Sequence, residues 1–123
     1  MDDPWADLVI SILSVNQYSL DGTFGAIGGL RAQGLLDPRN LMRWDLAQIA
    51  TRLIAAGCDR GPFMTNLFAL RLCSLGMAVE ATGVDSFADT IAGGDRKRIE
   101  ELLLPVNGIG PKVIWNFFLL RPN

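Results

Sequence analysis

A chain of 123 residues, half of them hydrophobic, is long enough to form one domain with a real core. Histidine is absent, which excludes histidine-ligated metals and any Ser–His or Cys–His catalytic pair, and two cysteines make neither a disulfide framework nor a metal site. The net charge of −2 and an isoelectric point near 4.9 are unlike those of a typical basic nucleic-acid-binding domain, so contact with nucleic acid would have to be local.

Residues 3–16 read as a helix. Asp3 is placed to cap it, Pro4 takes the first helical position, and Leu8, Val9, Ile12 and Leu13 recur at the helical period. Tyr18 to Leu35 carries Leu20, Phe24, Ile27 and Leu30 at similar spacing. Gly22, Gly25, Gly28 and Gly29 weaken that stretch and fit either close helix packing or a mobile element. Asp37-Pro38-Arg39-Asn40 is a turn. Asp45-Leu46-Ala47-Gln48 has the form of a capping box and opens a helix that Gly57 stops.

Pro62 starts a long helix to about Ala78 that is apolar around most of its circumference, the mark of a central, buried element in which Cys73 is a small core residue. Gly83-Val84-Asp85 is a turn, and Asp85 or Ser86 caps a short helix through Ile91. No uncharged apolar run approaches the length of about 18 residues that a membrane span needs, so no contact with a membrane is expected. The opening Met1-Asp2-Asp3-Pro4 lacks the basic region of a signal peptide, and Cys58 and Cys73 suit reduced thiols, which together predict a cytoplasmic location. The whole reads as all-α: a compact orthogonal bundle of six or seven helices, one domain over residues 1–123, with no convincing strand and no repeat.

The most informative stretch is 95–120. Asp95 is a natural N-cap, its carboxylate over the free N–H groups of a first turn. Pro105 ends that helix near Leu104. Gly108 and Gly110 flank Ile109 and permit positive φ on both sides of it, leaving backbone N–H groups uncovered. Pro111 suits the first turn of the next helix. The product is a helix, a glycine hairpin and a second helix whose N-terminus is a ready anion site, with Lys112 beside it. Gly-Ile-Gly alone is equally a plain helix–helix turn with a C-cap glycine.

An apolar-rich helix, Pro105, Gly108-Ile109-Gly110, Lys112 and a second apolar helix together resemble the helix-hairpin-helix of the endonuclease III class of DNA glycosylases. The resemblance extends over Pro4 to Leu120 and implies that family's six-helix barrel domain. It implies that Gly108, Ile109 and Gly110 hold a phosphate of duplex DNA carrying a damaged or abasic site. It also implies that Lys112, one of only two lysines, is the Schiff-base nucleophile. Leu13-Ser14-Val15-Asn16-Gln17 resembles the end of the family's first helix. Asn16, or Gln17 in its place, would then enter the space left by a flipped base; the plainer role is a polar helix terminus. Arg96, Lys97 and Arg98 are further phosphate contacts on this reading, or simply a solvated helix start. In bacteria the location implied is the nucleoid.

The sequence also departs from the family. Its catalytic aspartate lies well beyond the lysine, in a second helical domain, and no aspartate follows Lys112 here; its four-cysteine iron–sulfur motif is missing, so no cofactor is expected. Cleaving a glycosidic bond requires a carboxylate to stabilise an oxocarbenium-like sugar. It also requires an amine made neutral, towards which the helix N-terminus and apolar Val113 and Trp115 would act. Three readings follow: a DNA-binding domain with impaired glycosylase or AP-lyase chemistry, a non-catalytic protein-interaction domain or degenerate homologue, and one half of a complex. In the last, a partner protein or a second copy covers the place of the missing domain.

Overall fold

The structure, a computed structural model, describes residues 3–14, 27–58, 61–93 and 95–120. Among these it has eight helices and no strand: α1 (Pro4–Leu13), α2 (Ile27–Ala32), α3 (Pro38–Arg43), α4 (Leu46–Ala55), α5 (Pro62–Thr82), α6 (Val84–Gly93), α7 (Arg96–Leu103) and α8 (Pro111–Leu120). The all-α class is as expected, with more and shorter helices than the six or seven foreseen. The difference lies partly at Gly34, whose φ of 75° ends α2 and lets the chain turn into a separate α3. Of the helix expected over Tyr18 to Leu35, only Ile27–Ala32 falls within the described residues as helix.

Aspartates begin α1, α3, α4 and α7. The N–H groups of Trp5 and Ala6 donate to the Asp3 carboxylate at 3.1 and 3.2 Å, and that of Arg39 to Asp37 at 2.9 Å. Asp45 and Gln48 close a reciprocal capping box, the Gln48 N–H donating to Asp45 at 2.8 Å and the Asp45 N–H to Gln48 at 2.9 Å. Gly57, at φ 89°, stops α4 with a Schellman pair: its N–H donates to Ile54 and the next N–H, of Cys58, donates to Leu53. Cys58, the residue after that glycine, is thereby turned into the core. α6 starts at Val84, directly after Gly83 and ahead of the cap expected at Asp85 or Ser86.

α5 is the axis of the bundle. It runs to Thr82, a turn beyond the expected end, and packs against α3 and α4 most extensively, then α1 and α6. Gly76 lets α3 approach so closely that a Cβ there would overlap the Leu41 carbonyl. Phe68, Leu72, Leu75 and Val79 are buried, each stabilising the fold by about 1.5–3 kcal/mol relative to exposure. The central position is as expected, but the burial is one-sided, because Phe63, Leu70 and Met77 on the opposite side are exposed. All-round apolar composition states what a helix tolerates, and the number of neighbours decides which face is covered. α5 is also long and apolar enough to cross a membrane by length and composition, with a mean hydropathy of 1.3 over the best window. Arg71 interrupts the stretch, so no uncharged run extends along it. Its packed face is that of a bundle core.

α7 and α8 form the helix-hairpin-helix at 95–120. Their inner residues Ile99, Leu103, Val106, Ile109, Val113, Ile114 and Phe117 join one buried cluster with α1 and α5, and α8 lies against α1.

Candidate nucleic-acid interface

The hairpin is built from two consecutive tight turns. Asp95 accepts from the Arg98 N–H at 2.9 Å and starts α7, which ends at Leu103 as Pro105 requires. The Val106 N–H then donates to Leu103 at 3.0 Å, and the Ile109 N–H to Val106 at 3.1 Å. Gly108 takes a φ of 90°, whereas Gly110 is not among the glycines with positive φ, so the left-handed residue lies on one side of Ile109 only. Gly110 is the N-cap of α8: its carbonyl accepts from the Ile114 N–H at 3.2 Å.

This arrangement sets Ile109 apart from its neighbours. Its side chain is 4% exposed and its N–H is already bonded, so it anchors the hairpin to the core and offers an anion nothing. The donors are its neighbours. Among the described residues, no acceptor is recorded for the N–H groups of Gly110, Lys112 or Val113. All three belong to the first turn of α8, where the partial positive charge of the helix is concentrated. An oxyanion seated there would satisfy several of them at once.

Lys112 is exposed at the second position of α8, and among the described residues no ion pair involves it. The desolvation expected from Val113 and Trp115 is absent: Val113 points into the core, Trp115 is 58% exposed, and neither encloses the amine.

The basic run 96–98 is not brought to the hairpin. It starts α7, whose far end carries the hairpin, so about 12 Å of helix separates them. Arg96 is engaged elsewhere: it pairs with Glu100 at 3.2 Å, and its guanidinium lies 4.6 Å from the Phe118 ring centre, near the end of α8. Lys97 and Arg98 are exposed, and Arg98 lines a shallow hollow of about 200 Å³ with Asp89, Thr90 and Gly93. Consecutive helical residues diverge by about 100°, so the three share no face. Asn16 and Gln17 lie outside the described residues.

One residue that the sequence reading missed lies against the hairpin. Arg71, on α5, packs its stem on Gly108 so closely that a Cβ there would overlap it. Its guanidinium sits 5.7 Å from the Phe68 ring centre. One of its terminal nitrogens, Nη1, is buried and has no hydrogen-bond partner among the described residues. Burial pushes the guanidinium below its ordinary value. The signal was in the sequence: Arg71 is the sole basic residue in a 21-residue apolar helix.

No protein-family model matches the chain, and neither a curated protein nor a solved structure matches it.

Proposed function

We propose that this domain docks the sugar–phosphate backbone of duplex DNA at the N-terminus of α8, in the manner of the endonuclease III class that its 95–120 stretch resembles. The observation that supports the reading is the hairpin itself. Gly108 at φ 90° turns the chain, and the N–H groups of Gly110, Lys112 and Val113 stand free beside an exposed lysine. The Arg71 stem under Gly108 adds a second positive charge close by.

An abasic site is the DNA partner on which Lys112 has chemistry. Its neutral amine adds to the C1′ aldehyde of the ring-opened sugar, the carbinolamine loses water, and an imine links Lys112 to DNA. Abstraction of a C2′ proton would then break the C3′–O bond. Excising a base asks more, since the sugar's developing positive charge needs a carboxylate. Among the described residues none is recorded in an ion pair with Lys112. The activity proposed is therefore binding of abasic or damaged duplex with at most lyase-type chemistry.

A second reading is a protein-interaction domain without chemistry. It is favoured by the net charge of −2 and by the exposed apolar side of α5.

Borohydride trapping on a duplex with one abasic site, beside a Lys112→Ala control and a mobility shift, separates the two. An adduct that the variant loses supports the lyase-type reading. Binding without an adduct leaves a DNA-docking domain, and neither binding nor adduct at low salt moves the assignment to the protein-interaction reading.

A further inference from the structure

Six residues of α5 form a stripe opposite its buried face. Phe63, Leu67, Leu70, Ser74, Met77 and Ala81 are spaced alternately by four and three, the seam pattern of helices that pair. Phe63, Leu70 and Met77 are 78%, 44% and 69% exposed, and Ala81 is exposed as well. Large side chains so arranged on a surface mark an interface.

We propose that the stripe seats a second copy of this chain, α5 against α5, antiparallel about a two-fold axis level with residue 72. The stripe is self-complementary in that register. Phe63 meets Ala81, Leu67 meets Met77 and Leu70 meets Ser74, so the bulkiest member falls on the smallest. Beside Ala81 an open cleft of about 310 Å³ has an apolar floor of Ala78, Ala81, Leu102, Pro105 and Val106, with Thr82 and Glu101 also lining it. A cavity of roughly 150 Å³ holds benzene, so the ring of Phe63 has room there. Knob and cleft belong to the same molecule, and a two-fold axis satisfies both twice, as an isologous interface requires.

Charge points to a copy over other occupants. No member of the stripe is charged. In an antiparallel pair each flank faces its own counterpart, so Glu80 falls opposite Asn66 and far from the other Glu80, while Cys73 lies beside Cys73 near the axis. Arg71, on the other flank, is turned away onto Gly108 and Phe68. A helix made for a lipid surface carries lysine and arginine along its polar border, and α5 has no lysine and only Arg71. A heterologous partner is ordinarily steered by strong rim charge, and among the described residues the helix itself contributes only Arg71 and Glu80 to its flanks.

Area sets the strength. The seam is about 27 Å long at the helical rise of ~1.5 Å per residue, and one helix pair of that length covers less than the roughly 800 Å² per partner of a standard interface. Insertion of Phe63 beside α7 and the hairpin enlarges it. The dimer should be reversible, with a Kd on the order of micromolar.

Sedimentation equilibrium over a concentration series should give a mass rising from 13.4 kDa towards twice that value. Phe63→Glu and Met77→Lys, both at exposed positions and checked for unchanged circular dichroism, should each weaken association by about tenfold or more. Mild oxidation should cross-link two copies through Cys73, with no cross-link in Cys73→Ser and an unchanged one in Cys58→Ser. A monomer at concentrations well above micromolar, or a dimer indifferent to both charged variants, would overturn the proposal. So would a monomer that floats with phosphatidylcholine vesicles and loses that binding in Phe63→Glu.

Discussion

Gly108, Arg71 and Lys112 decide what the hairpin can do, and each does so through a different property. Gly108 supplies the one left-handed residue and the space that the Arg71 stem fills. Arg71 carries a buried nitrogen that has no hydrogen-bond partner among the described residues, and such a group costs roughly 1 kcal/mol or more. Arg71→Met keeps the stem and removes the charge. It should raise the melting temperature while weakening duplex binding, and thermal melts beside fluorescence anisotropy check both. A loss of stability with unchanged DNA affinity would make Arg71 a packing residue only. Gly76→Ala, by contrast, forces a methyl into the Leu41 carbonyl and should destabilise the fold by about 1–3 kcal/mol in urea titrations. The turn at Gly108 was legible in the sequence because glycine and proline carry strong local meaning. Ile109 and Arg71 were not, because their roles depend on which neighbours fold against them: one is claimed by the core, and the other is pushed against the hairpin from a helix well upstream.

Element by element, the helix starts were the most legible feature, since a cap is a local device. Asp3, Asp45 and Asp95 all bind the N–H groups that their spacing promised. Asp95→Ala should therefore cost about 0.5–2 kcal/mol, read from the shift in the urea midpoint. α5 shows the opposite case. Its composition is apolar on every side, so periodicity gave no sign of which face the bundle would use. Leu72→Ala should cost about 2–5 kcal/mol, whereas Leu70→Ala, two residues away on the open face, should stay within about 0.5 kcal/mol of the parent. Equal costs at both positions would mean that the outer face is covered within one molecule. The position of 96–98 was left open by the sequence for a related reason: three consecutive basic residues adjoin in one dimension, and a helix spreads them around its axis.

On the scale of the whole molecule, the proposed docking sets a local cationic point on an acidic chain. The net charge of −2 leaves no general attraction to DNA, so on the proposed reading affinity would come from a few donors at the start of α8. Among the described residues, Lys112 and Arg71 are the cations the fold brings to the hairpin. The logarithm of the binding constant should therefore fall with the logarithm of salt concentration with a slope of roughly −2. A much steeper slope would require a broad basic face that the arrangement of 96–98 does not supply. The proposed pairing through α5 would set two hairpins on one particle, and its failure would leave the docking of a single domain untouched.

The central claim is that free N–H groups at the start of α8 hold a DNA phosphate. Amide resonances followed by NMR during titration with an abasic duplex test it most directly. The account predicts that the Gly110, Lys112 and Val113 amides shift first and most, saturably, with Ile109 nearly still because its N–H is already bonded within the hairpin. Shifts confined to other parts of the molecule, or none at all at low salt, would contradict it.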